Sequence, residues 1–130
     1  MTFTDCLAKA AAEYGLPLTP AQMEAFAVYY LLLLEWNEKM NLTAIREPEE
    51  VAVKHMIDSL TCYDPKYFPA GCRAVDVGTG AGFPGLPLKI FRPDIKLTLL
   101  DSLNKRLLFL QEVVQRLQLT DTVTVHSRAE

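Results

Sequence analysis

A short apolar run, Ala74-Val75-Asp76-Val77, breaks into four glycines within eight positions: Gly78, Gly80, Gly82 and Gly85. Pro84 and Pro87 follow, interleaved with the apolar residues Leu86, Leu88 and Ile90. The pattern predicts a strand, a tight loop and a helix in direct succession. Glycine permits positive φ and lets a ligand approach the backbone closely. The start of the helix offers free N–H groups and a partial positive charge. Such a loop is built to hold a nucleotide-like group, and it constrains the fold to alternating strands and helices.

Two cofactor frames overlap here. Gly80-x-Gly82-x-x-Gly85 fits the dinucleotide fingerprint, with Asp101 about 20 residues further on. Asp76-x-Gly78-x-Gly80-x-Gly82 instead resembles the first motif of S-adenosylmethionine-dependent methyltransferases. Both frames use Asp101, because a carboxylate ending the second strand can accept hydrogen bonds from ribose hydroxyls. The loop alone leaves both cofactors open.

Alternation of strand and helix begins at Arg73. Strands are predicted at residues 73–77, 95–100 and 122–125, with helices at 84–91 and 103–117. Leu103, Leu107, Leu110, Val114 and Leu117 form the stripe of the second helix. This β-α-β-α-β order predicts a parallel sheet with right-handed crossovers. The preceding part reads as helical. Thr4 is expected to cap a first helix reaching residue 14, with Phe3, Leu7, Ala10 and Tyr14 on its inner face. Thr19-Pro20-Ala21-Gln22 opens a second helix reaching about residue 40. Glu47-Pro48-Glu49-Glu50 opens a third, with Val53, Met56, Ile57 and Leu60 inward. The expected organisation is a helical cap, residues 1–70, followed by a partial α/β domain, residues 71–130. Doubly wound sheets usually carry about five to seven strands. Three suggest a truncated piece of a longer protein.

The chain has 130 residues, half of them hydrophobic, enough to build a core. Its net charge is −3, from 13 basic and 16 acidic residues. That balance does not advertise nucleic-acid binding as a whole, although residues 73–130 alone carry 8 basic against 6 acidic. Cys6, Cys62 and Cys72 show no paired spacing, which argues against a zinc site or a disulfide framework and fits a reducing compartment. No metal site is expected. The longest apolar run, residues 28–34, is far too short to span a bilayer.

Three further segments bear on the cofactor: Trp36-Asn37-Glu38-Lys39-Met40-Asn41-Leu42-Thr43, Lys54-His55-Met56-Ile57-Asp58-Ser59-Leu60 and Leu99-Leu100-Asp101-Ser102-Leu103-Asn104-Lys105-Arg106. Together with the glycine loop, in this order and spacing, they resemble the ribosomal RNA small subunit methyltransferase G family, also called glucose-inhibited division protein B. The resemblance covers about residues 20–130. It implies a Rossmann-like S-adenosylmethionine-dependent methyltransferase domain behind an N-terminal helical cap. It further implies a bacterial cytoplasmic enzyme, monomeric in its full-length parent and without a membrane partner. The implied substrate is N7 of a guanosine in 16S rRNA, free or in the 30S ribosomal particle.

Carried onto this chain, the resemblance places S-adenosyl-L-methionine contacts at Gly78, Gly80 and Phe83, the ribose contact at Asp101, and adenine contacts at Ala129 and Glu130. Lys54 and His55 become RNA-binding candidates, Lys54 standing where the family more often has arginine. The family also uses an arginine beyond the third strand, which this chain lacks. An NAD(P)-binding oxidoreductase domain and a non-catalytic nucleotide- or RNA-binding module are the alternatives.

No residue is expected to act as an acid–base catalyst. Guanine N7 carries a free lone pair and loses no proton before attack, so positioning can supply most of the catalysis. His55, Asp58 and Ser59 could suggest a hydrolytic triad. They sit on one helix without a nucleophile elbow, so a hydrogen bond of His55 with Asp58 or Ser59 on the helix surface is expected instead. Asn41 and Thr43 are expected to shape the cofactor mouth, and Trp36 to anchor packing. Lys105 and Arg106 open a helix and could reach phosphates.

Overall fold

Three parallel strands, β1 (Arg73–Val77), β2 (Lys96–Asp101) and β3 (Thr122–His126), form one sheet in the order β1-β2-β3 in a computed structural model that describes residues 2–127. Register runs from Arg73↔Lys96 to Val77↔Leu100, and from Leu97↔Thr122 to Asp101↔His126. Strand side chains alternate between faces. Leu97 and Leu99 are buried under the helices, whereas Val75, Val77, Val123 and Val125 on the other face are 60%, 55%, 55% and 38% exposed.

Five helical elements pack on the covered side: α1 (Phe3–Glu13), α2 (Pro20–Asn37), α3 (residues 48–60), α4 (Gly85–Phe91) and α5 (Asn104–Arg116). Thr2, not Thr4, caps α1: its side chain accepts the Asp5 N–H, and Asp5 bonds back in a capping box. The helix ends at Glu13, so Tyr14 lies beyond it and is 53% exposed, outside the core. Thr19 and Gln22 form the second capping box as expected, and α2 stops at Asn37, three residues early.

The middle of α3, Val51–Ile57, is a π-helix flanked by single α-turns. Val51, Ala52, Met56 and Ile57, two pairs at the i→i+5 spacing, are all fully buried. An α-helical reading puts Val53 in the core, and the wider turn moves it to a half-buried position.

In α5 the inner stripe is shifted from the expected one. Leu107, Phe109, Leu110 and Val113 are buried, while Leu103 is 50% exposed. Phe109 is drawn inward by Trp36, whose ring meets it edge-on at 6.0 Å, and by Tyr29. Helices and sheet share one continuous hydrophobic cluster. Polar bonds across it include Gln22 Nε2 to the Phe91 carbonyl at 3.1 Å and Trp36 Nε1 to Glu112 at 2.5 Å. No described helix is long and apolar enough to cross a membrane.

Candidate functional site

The glycine loop leaves the C-terminal end of β1 and is pinned at once to β2. The Gly78 and Thr79 N–H groups donate to the Leu100 carbonyl at 2.8 and 3.2 Å. Asp76 closes the loop from beneath. Its Oδ2 accepts the Thr79 hydroxyl at 2.7 Å and the Gly85 N–H at 3.0 Å, joining the loop's start to its end. Burial raises the Asp76 carboxyl above its ordinary value, opposed by those two hydrogen bonds and reinforced by the charge of Asp101.

The four glycines divide into two pairs. Gly78 and Gly80 have positive φ, and a Cβ on either would meet open space. Gly82 and Gly85 face inward. A Cβ on Gly82 would lie 2.6 Å from both Leu86 Cδ1 and the Tyr29 hydroxyl, and one on Gly85 would lie 2.8 Å from Asp76 Oδ2. The first pair therefore offers bare backbone to a ligand, and the second lets the loop pack on the core. Both open glycines belong to the Asp76-x-Gly78-x-Gly80-x-Gly82 frame, which shares Gly80 and the inward Gly82 with the dinucleotide frame. Two of the three glycines of the dinucleotide frame serve packing.

Asp101 stands beside the open pair at the end of β2 and is 1% exposed. Its Oδ2 accepts the Gly80 N–H and its Oδ1 the Leu103 N–H, both at 2.9 Å, with Arg106 Nη1 3.6 Å away. A carboxylate accepts about four hydrogen bonds. Two of these are taken by N–H groups of the loop and of the α5 start, so the carboxylate fixes the loop to the end of β2. Arg106 is committed to this cluster. Lys105 lies exposed at the helix start.

Phe83 is held on two sides. Its ring lies 4.4 Å from His55 with planes 12° apart, and 5.5 Å from Tyr29. Tyr29, fully buried, donates its hydroxyl to the Ala81 carbonyl at 2.5 Å. Burial pushes the Tyr29 phenol well up, keeping it protonated as that donor. With both neighbours in place, the Phe83 ring is fixed and shapes the loop.

His55 does not pair through its ring with Asp58 or Ser59. Its Nε2 lies 2.7 Å from Thr43 Oγ1, and the Ser59 hydroxyl donates to the His55 carbonyl instead. The π-helical turn and the Phe83 stack aim the ring toward Thr43. Thr43 Oγ1 also accepts the Ile45 N–H at 3.1 Å, leaving its own hydrogen for a neutral imidazole. Burial lowers the His55 pKa, partly offset by Asp58.

Asn37 lies behind this pair, 3% exposed, its Oδ1 accepting the Leu42 and Thr43 N–H groups at 2.8 and 3.0 Å. Its Nδ2 has no hydrogen-bond partner among the described residues. Thus Asn37, Thr43, His55, Phe83 and the loop form one connected series. Lys54 points elsewhere, bonded to Glu50 at 3.3 Å on the exposed side of α3. Ala129 and Glu130 lie outside the described residues. Sequence reasoning passed over Asn37 and Tyr29. An asparagine at a helix end before Asn41-Leu42-Thr43 was the available signal for one, and Tyr29 is hidden within an apolar run.

Among the described residues no cluster of His, Cys, Asp or Glu could hold a metal. The family model described as rRNA small subunit methyltransferase G matches residues 22–130. The chain is 57% identical over 127 residues to the Ribosomal RNA small subunit methyltransferase G of Desulforamulus reducens, covering 98% of this chain and 53% of that protein. It is 51% identical over 130 residues to the protein of the same name from Clostridium beijerinckii, covering 100% of this chain and 54% of the relative. The chain thus spans about half the length of the curated relatives it matches. With the motif segments, the loop geometry and these matches together, the chain belongs to the rRNA small subunit methyltransferase G family.

Proposed function

We propose that this chain carries the cofactor loop and helical layer of an S-adenosylmethionine-dependent enzyme that methylates N7 of a guanosine in 16S rRNA. Residues 1–70 serve as the cap, and residues 71–130 as the first half of the catalytic domain. The observation that carries the reading is the pairing of bare backbone at Gly78 and Gly80 with the buried Asp101 carboxylate at the ends of adjacent parallel strands. Ligands of open α/β sheets bind at that end. The family match favours methyl transfer over the dinucleotide alternative.

S-adenosylmethionine, when bound, supplies an electrophilic methyl group on a sulfonium. The residues named here have positioning work to do. Gly78 and Gly80 admit the cofactor against the backbone, and Asp101 accepts from its ribose. Phe83, clamped by Tyr29 and His55, keeps the loop in one shape. Ala129 and Glu130 are the proposed adenine contacts, and His55 borders the RNA side. N7 attacks with its own lone pair, so no residue has to remove a proton, and alignment dominates the rate.

Isothermal titration of this chain with S-adenosylhomocysteine and with NADH tests the cofactor. Tighter binding of S-adenosylhomocysteine supports the reading, and preference for NADH overturns it. Methyl incorporation into 16S rRNA and into 30S particles, measured on a full-length relative carrying the same motifs, tests the reaction.

A further inference from the structure

Residues 38–46 contain no regular secondary structure beyond turns and bends, yet buried side chains hold them firmly. Asn37 takes two of their N–H groups, and Thr43 takes the Ile45 N–H. Tyr30, itself stacked on Phe3 at 4.4 Å, donates its hydroxyl to the Arg46 carbonyl at 2.8 Å. Among the described residues the brace leaves a buried donor, Asn37 Nδ2, without a partner. Burying an unpaired amide N–H costs free energy. A connector has no need of such rigidity, whereas a preorganised binding surface does.

Residues Asn41, Leu42, Thr43, Ala44 and Arg46 line an open groove of about 780 Å³. Thr43 joins it to the glycine loop through His55 and Phe83. Arg46 is exposed and makes no ion pair among the described residues. Its neighbour Glu47 exerts its charge at the Tyr30 hydroxyl. Lys54, by contrast, is bonded to Glu50 and sits just after Glu49 and Glu50 on the same helix.

We infer that this groove receives the RNA strand flanking the target nucleotide, with the Arg46 guanidinium as its phosphate contact. The inference rests on the methyl-transfer reading above and moves the electrostatic contact from Lys54 to Arg46. A planar guanidinium suits bidentate phosphate binding better than an ammonium does.

The test is binding of this chain to purified 16S rRNA by filter retention across a potassium chloride series. Arg46→Gln is expected to weaken binding several-fold and to flatten the logarithmic salt slope by about one. Lys54→Gln, and Lys9→Gln on the exposed side of α1, are expected to keep the parent slope. Titration with S-adenosylhomocysteine is run on each variant. An unchanged slope for Arg46→Gln, or a flattened one for Lys54→Gln, overturns the groove assignment and leaves the cofactor reading standing. Absence of any salt-dependent rRNA binding by the unmodified chain overturns it too. Loss of S-adenosylhomocysteine binding by the unmodified chain counts against the methyl-transfer reading instead.

Discussion

The imidazole of His55 lies flat on the ring of Phe83, centroids 4.4 Å apart, while its Nε2 meets the Thr43 hydroxyl at 2.7 Å. One side chain of the helical layer therefore sets both the face of the cofactor loop and the end of the 38–46 turn. It joins the Tyr29–Ala81 bond in tying the helical layer to the glycine loop.

Acidification should loosen that contact. Burial depresses the His55 pKa in the folded chain, against about 6.5 when unfolded. Below that value the unfolded chain binds more protons, so this part of the stability is fully present above it and is lost as pH falls toward the folded value. Denaturation midpoints at about pH 7.5 and about pH 5.5 should differ less for His55→Gln than for the parent. An identical difference would mean that His55 titrates normally.

Substituting the glycines should separate folding from binding. Gly82→Ala forces a Cβ to 2.6 Å from Leu86 and Tyr29 at φ +98°, and is expected to cost at least about 2 kcal/mol in chemical denaturation. Gly80→Ala adds a Cβ in open space, so only the cost of its φ of +59°, about 1 kcal/mol, is expected. The larger effect of Gly80→Ala should appear in S-adenosylhomocysteine affinity.

Asp101→Ala removes the acceptor of the Gly80 and Leu103 N–H groups together with the proposed ribose contact. Titration should show S-adenosylhomocysteine binding weakened by about 1–3 kcal/mol. Asp101→Asn retains an acceptor oxygen and should lose less. Equal affinities for all three proteins would remove Asp101 from the cofactor site.

Asn37→Ala leaves two N–H groups of the turn without their acceptor, and is expected to destabilise the chain by about 1–3 kcal/mol. Asn41→Ala, in the exposed turn beyond the end of α2, should stay within about 0.5 kcal/mol of the parent. Urea denaturation of both variants provides the comparison.

The outward face of the sheet carries Val75, Val77, Val123 and Val125, all substantially exposed. Contiguous apolar surface favours association. Light scattering should show the chain's average mass rising with concentration, and a Val75→Thr/Val123→Thr double variant should reduce that rise.

Strands were the most legible part of the sequence, because Ala74-Val75-Asp76-Val77 and Leu97-Thr98-Leu99-Leu100 are short apolar runs bounded by turn residues. β1 came out with the expected bounds, and the glycine loop lies where expected, since glycine spacing is a local signal. Long-range packing was not legible. Phe109 turned inward to meet Trp36 and Tyr29, shifting the α5 stripe away from Leu103. The ring partner of His55 was missed for a related reason: its own helix offered Asp58 and Ser59, and nothing in the spacing announces a threonine 12 residues earlier. Asn37 was missed because a side chain bonding to backbone five and six residues ahead leaves no periodic trace.

The π-helical segment Val51–Ile57 makes segment length a structural variable in its own right. Its i→i+5 bonds take in about one more residue per turn than the bonds of an α-helix, in which each residue turns the chain by about 100°. Adding a further residue between Pro48 and His55 would turn the imidazole off Phe83, even with every other side chain unchanged. Conservative exchanges such as Val51→Ile should be absorbed far more easily than any insertion or deletion. Across homologous chains, the stack and the residue count between Pro48 and His55 should therefore be kept or lost together.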